Sequence, residues 1–360
     1  MDIEAYLSAR RGKFEVISDI NNRFPHYVKS IRSWFEKKSI NVKFIRSQKC
    51  ASEIIWMNSE QYLIIDRQAD LYMNALCRPE ILCKNDSEKY SKYLFESLIF
   101  IVCNELFYHK RPVLSKELYQ HYISEKNLNF PIDFYGEIAH LNFIAYHEWG
   151  HIVFKSNPEM KKEFSDVIRK VFYDHVDDIT KRACDNNEIA KNIYYRTVYS
   201  SYFEENNLEE CCADYASVIM IFNMMDENPM SLLGFGNKSE YISNCMIKIH
   251  QYQVIRHLKK VVQSALKGEK YSGKNIALLT QRLRVTRQIL NRYLTDHQGI
   301  EKSQENYNTF SEYFQRFDTL LENELYDKTH NIILANKNKF NEANDFENAN
   351  RFCIENFSWV

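Results

Sequence analysis

Apolar residues recur along this chain mostly at helical spacing. The apolar run Ala139 to Phe154 has Ile138, Leu141, Ile144 and Ala145 in register and continues through Ile152, Val153 and Phe154, which predicts a largely buried helix. Tyr90 to Tyr108 is apolar enough to be a central core helix, with Cys103 and Glu105 as structural members. Val218 to Met225 predicts another helix, entered from an acidic stretch. Val28 to Lys38 reads as a helix with a solvated Lys/Arg face. Asn41 to Arg46 and Glu53 to Met57 read as short strands. Ser59 is placed to cap a helix on which Tyr62, Ile65, Ala69, Tyr72 and Leu76 share a face.

After Pro158, Glu159 to Lys181 and Glu188 to Phe203 read as charged, aromatic-bearing helices, either a lid over a cleft or a peripheral hairpin. Beyond Asn228-Pro229 come helices at Tyr241 to Lys267, Asn275 to Leu294 and Phe310 to Leu325, then a less regular tail ending Phe357-Ser358-Trp359-Val360. The expected fold class is mainly α with a small β-sheet and a C-terminal helical region. Only 8 Gly and 6 Pro in 360 residues leave few helix breakers, which favours that reading.

Charge narrows the function classes. Lys and Arg number 47 against 48 Asp and Glu, so no global field steers the chain to nucleic acid or membrane. Nine cysteines include no C-x-x-C pair, and the tandem Cys211-Cys212 cannot easily bridge, which points to a reducing compartment. Met1-Asp2-Ile3-Glu4 lacks the basic start of a leader, and the apolar runs are far short of a membrane span, so a soluble, cytoplasmic protein is expected.

The chemistry concentrates in His147-Glu148-Trp149-Gly150-His151. Two histidines four apart on a helix project from one face, where both imidazoles can bind one ion with Glu148 beside it to handle a proton. Zinc suits imidazole and carboxylate ligands. Gly150 is disfavoured by about 1 kcal/mol relative to Ala inside a helix, so something is expected to pack close there. A second stretch, Glu209-Glu210-Cys211-Cys212-Ala213-Asp214, puts Glu210 and Asp214 on one helix face. Glu210 is the candidate third metal ligand, and Asp214 the candidate acceptor for a ligand histidine's free ring N–H. The plainer reading is an acidic helix start.

Together, HEWGH and ECCAD resemble the gluzincin pattern HExxH plus ExxAD of zinc metallopeptidases. Phe154 and Asn157 stand where metzincins carry Gly and a third His. Within the gluzincins the chain is most similar to the Lit-type phage-exclusion peptidases, bacterial enzymes that cleave elongation factor Tu during infection. That resemblance covers about residues 50–235 and implies an α+β zincin-like core within a metallopeptidase domain of residues 1–235, and the long interval from His151 to Glu210 then reads as a helical insertion, 158–207. Residues 236–360 form the C-terminal helical part. It further implies zinc held by His147, His151 and Glu210, Glu148 as the catalytic base, Asp214 as support, a cytoplasmic protein substrate, and a role in anti-phage defence with a phage-derived or partner-protein activator. His175, Tyr194, Tyr195 and Tyr199 are candidates to stabilise an oxyanion.

Two other readings stand beside this one. Residues 275–295 have the spacing of a helix-turn-helix carrying Thr286, Arg287, Gln288 and Asn291, which resembles the ImmA/IrrE type of regulator and would make DNA a partner. Arg284 occupies the turn position that usually takes Gly, so one continuous helix is favoured. The other is an inactive peptidase-like scaffold.

Overall fold

A computed structural model describes residues 2–12, 14–17, 25–47, 51–68, 87–108, 134–183, 205–227, 238–269 and 326–357, with isolated positions between 72 and 118 and at 189 and 288. Its elements in chain order are α1 (Ile3–Arg11), β1 (Phe14–Val16), α2 (Pro25–Glu36), β2 (Ile40–Ser47), β3 (Glu53–Met57), β4 (Glu60–Asp66), α3 (Ser87–Tyr108), α4 (Phe134–Ser156), α5 (Pro158–Ala183), α6 (Glu205–Glu227), α7 (Lys238–Lys267), α8 (Tyr326–Ala335), α9 (Lys337–Glu342) and α10 (Phe346–Phe357). The chain is mostly helical with one small mixed sheet, the fold class expected.

The four strands run in the order β1-β2-β4-β3. β1 lies antiparallel to β2, β2 parallel to β4, and β3 antiparallel to β4. Alternate residues leave opposite faces of a strand, and here both faces are covered. Phe44, Leu63 and Ile65 pack on Val28, Ile31 and Phe35 of α2 and on Leu141, Ala145 and Ile152 of α4. On the other face, Ile45, Ile55 and Ile64 pack on Ile3 and Leu7 of α1. The buried Arg11 guanidinium fixes α1 there by donating to Asp66 (3.1 Å), Glu53 (2.6 Å) and the Ala51 carbonyl (2.7 Å).

One expectation is overturned at Ser59. Asn58 and Ser59 adopt successive left-handed conformations (φ 51° and 67°), the geometry of a two-residue hairpin turn whose twist matches that of its strands. The chain therefore returns as β4, with Met57 opposite Glu60, instead of entering a helix. Leu63, Ile64 and Ile65 are consecutive and all buried because β4 is covered on both faces, and such a run carries no period-2 signal. Among the described residues of this stretch, helix is present at Gln68, Tyr72, Met73, Ala75 and Leu76, all beyond β4.

A second correction concerns the C-terminus. Residues 326–357, expected as a less regular tail of the C-terminal helical region, form α8, α9 and α10. Phe340, Ala349 and Phe352 insert into the main core, and Arg111 donates to the carbonyls of Phe340 (3.3 Å), Asn341 (2.8 Å) and Ala343 at the end of α9. The Asn- and Glu-rich composition hid these helices because their apolar faces are narrow. That same core takes Leu98 and Leu106 from α3, Phe143 and Tyr146 from α4, Val218 from α6 and Val254, Leu258 and Val262 from α7, so one cluster crosses residue 235. Cys103 and Glu105 are buried within α3, where Glu105 accepts from Tyr72 (2.8 Å) and pairs with Lys259 of α7 (3.3 Å).

Apart from Ile189 and Gln288, the expected helix at Glu188–Phe203 and the 275–295 segment lie outside the described residues, as does Phe310–Leu325. Among the described residues no helix is long and apolar enough to cross a membrane.

Candidate metal centre

Helix α4 is apolar nearly all round because it is packed on three sides. Leu141, Ala145 and Ile152 meet the sheet side, Phe143, Ile144 and Tyr146 the main core, and Phe154 a third cluster with α5 and α6. Within that setting His147 and His151 are polar exceptions one turn apart. Their Nε2 atoms lie 3.3 Å from each other.

The partner helix is α6, and Gly150 shows how closely it approaches. A Cβ at that position would stand 3.1 Å from Ala213 Cα and 3.2 Å from Ala216 Cβ, so glycine on one helix and two alanines on the other set the separation. Ser217 Oγ adds a hydrogen bond to the Phe143 carbonyl (2.8 Å). This contact delivers Glu210, whose Oε2 is 3.5 Å from His147 Nε2 and whose Oε1 is 3.6 Å from His151 Nε2. Ligand atoms of the three residues all lie within 4.8 Å of one another. Around a tetrahedral ion with bonds of about 2.0–2.1 Å, neighbouring ligands are about 3.3–3.4 Å apart. The His-His-Glu group is therefore of the right size and chemistry to hold a metal ion.

The other ring nitrogens are also committed. His147 Nδ1 lies 2.9 Å from the buried Asp214 carboxylate, and His151 Nδ1 lies 3.1 Å from Glu209. A carboxylate can only accept, so each Nδ1 must carry a hydrogen, and when the rings are neutral the Nε2 lone pairs face the shared centre. Asp214 is held in turn by Gln253 Nε2 of α7 (3.3 Å), and Glu209 by Lys161 Nζ of α5 (3.0 Å).

Electrostatics reflect this crowding of carboxylates on histidines. Burial alone would lower His147, but hydrogen bonds to Asp214 and Glu210 outweigh it and hold its pKa at about 9 in the absence of an ion. His151 is lowered, first by burial and then by the charge of His147. Burial pushes the Glu148 carboxyl up to about 7, His147 opposing this and Glu210 adding to it. The charges of Arg256 on α7, which lowers it, and Glu53 on β3, which raises it, also act on Glu148. Glu209 is lowered: its burial is outweighed by hydrogen bonds from Lys161 and His151.

Of the residues picked out in the sequence, the structure brings together His147, His151, Glu210 and Asp214, with Glu148 next to His147 on α4 and coupled to His147 and Glu210 by charge. Glu209, Lys161 and Gln253 were missed. Glu209 had a signal in the tandem Glu209-Glu210, since neighbours on a helix diverge by about 100° and one can bind while the other supports. Lys161 and Gln253 had none, because only the packing of α5 and α7 against α6 brings them in. The side chains of His175, Tyr194, Tyr195 and Tyr199 lie outside the described residues. Comparison with protein-family models, with curated proteins and with solved structures gives no match.

Proposed function

We propose that the chain is a zinc-dependent endopeptidase that hydrolyses peptide bonds of a cytoplasmic protein and serves in bacterial defence against phage. The observation that carries the proposal is the convergence of His147, His151 and Glu210 on one point, with the Glu148 carboxylate beside them. Zinc suits a neutral-imidazole and carboxylate donor set and, when bound, would polarise a scissile carbonyl and acidify a water. The protein's own groups supply the remainder. Asp214 and Glu209 hold each imidazole in the tautomer that presents Nε2. Glu148, its carboxyl near neutrality, accepts the proton of the attacking water and returns it to the leaving amine.

The defence role rests on the resemblance to Lit-type peptidases. An unrestrained protease would poison its own cytoplasm, so basal activity is low until a phage component or partner protein shifts the population toward an open cleft. The test is a survey of new protein N-termini in infected cells expressing wild type or Glu148→Gln. Discrete cleavage products confined to the wild type are expected. Identical profiles would overturn the peptidase reading, and equal plaque counts across a broad phage panel the defence role.

A further inference from the structure

The two histidines are not held alike. His147 is braced from inside, by a fully buried Asp214 that Gln253 of α7 also contacts. His151 is braced at the rim, by a Glu209 that retains about a quarter of its side-chain exposure and divides its oxygens between two partners. Oε1 faces His151 Nδ1 at 3.1 Å and Oε2 takes Lys161 Nζ at 3.0 Å. Lys161 belongs to neither ligand-bearing helix.

We propose that Lys161 and Glu209 form a positioning arm through which helix α5 sets the orientation of His151 and so the grip of the site on its metal. The inference rests on the metal reading above. Its basis is the fixed seat of α5. Asn157 caps the helix through its Oδ1 to the Met160 amide (3.1 Å), with Pro158 at the first helical position. Phe164 packs against Phe154 and Tyr215, Ile168 is fully buried, and Ser165 Oγ meets Cys212 Sγ at 3.6 Å. These contacts fix Lys161 relative to both α4 and α6. A glutamate with about a quarter of its side chain exposed otherwise samples several rotamers, and each excursion releases the imidazole it orients. With Oε2 tethered to Lys161, Oε1 stays on His151. The segment between the two ligand motifs therefore contributes to the site directly.

The probes are zinc, in competition with a chromophoric chelator, and cobalt(II), whose visible spectrum reports ligand geometry, both with the full chain. Glu209→Gln should weaken zinc binding about 10- to 100-fold, as loss of a carboxylate behind a ligand histidine does. Lys161→Met, which keeps the apolar stem, should weaken it about two- to fivefold, in keeping with a partly exposed pair. Lys161→Arg should restore binding, and Asp166→Asn, which removes an exposed pair with Arg169 on the same helix, should leave it unchanged. The cobalt spectrum should shift in Glu209→Gln while the melting temperature of the metal-free protein stays constant. The arm is overturned if both Glu209→Gln and Lys161→Met bind zinc as wild type does, or if their losses follow a fall in metal-free stability. A wild type that takes up no zinc overturns the metal reading itself, and the arm with it.

Discussion

Gly150→Ala separates metal grip from helix stability. Inside a helix the exchange itself favours folding by about 1 kcal/mol. Here the new methyl would meet Ala213 Cα at 3.1 Å, Ala216 Cβ at 3.2 Å and Ala213 Cβ at 3.4 Å, against an optimum of about 3.5–4.0 Å between carbons. Two of these atoms are on short side chains and one is backbone, so relief comes from moving α6 away from α4 by a few tenths of an ångström. That motion lengthens the distances of 3.5 and 3.6 Å from Glu210 to the two histidines, which already lie at the upper edge of what a tetrahedral ion bridges. The metal-free protein can relax; the metal-bound protein must hold the helices together. Overpacking strain of about 1–3 kcal/mol therefore falls on binding, a loss of about five- to 150-fold in zinc affinity. Melting of the metal-free variant should be unchanged or raised. Chelator competition and calorimetry read the two quantities separately, and zinc affinity within twofold of wild type would refute the claim that this contact sets the site's width.

Asp214→Asn keeps the shape but removes the acceptor-only carboxylate behind His147, and zinc affinity should fall about 10- to 100-fold in the same assay. Glu105→Ala takes the buried carboxylate from Lys259 and Tyr72, and should destabilise the fold by about 3–5 kcal/mol in denaturant titrations; a loss under 1 kcal/mol would show that the pair contributes little. The pH dependence has a definite sign. In the metal-free protein His147 is raised from 6.5 to about 9, so its contribution is complete below 6.5 and disappears as the pH climbs to 9. Glu148, raised from 4.5 to about 7, acts in the same direction over its own lower window. Melting temperature of the metal-free protein should fall from pH 6.5 to 9 while zinc affinity rises, because the metal displaces the His147 proton; a melting temperature rising over that range would contradict this.

What the sequence disclosed was periodic or chemically loaded. Helix α4 was legible because its apolar run is long and its histidines fall one turn apart, and Gly150 announced a close neighbour that proved to be Ala213 and Ala216. Glu210 and Asp214 followed from helical spacing together with what a zinc site asks for, a third ligand and a carboxylate behind a histidine, and from the resemblance of ECCAD to ExxAD. Strand β4 was not legible. Burial on both faces of the sheet erased its alternation, and Tyr62 and Ile65, three apart, matched a helix that begins only later. The C-terminal helices were obscured by composition, since the apolar residues that α10 packs on the core, Phe346, Ala349, Phe352 and Cys353, are set among Asn and Glu. Lys161 and Gln253 were out of reach for a different reason: each acts across a tertiary contact between helices far apart in the chain, and nothing local marks it.

The central claim, that HEWGH and ECCAD together build one metal site, is tested most directly by metal stoichiometry. Protein purified without chelator, and its His147→Ala, His151→Ala, Glu210→Ala and Glu148→Gln variants, should be analysed by elemental mass spectrometry after equilibration with excess zinc and removal of the unbound metal. The account predicts close to one zinc per wild-type chain and a large loss in each of the three variants, with Glu148→Gln still loaded. Zinc retained in the Glu210→Ala variant at the wild-type level, or a wild type that binds none, would contradict it.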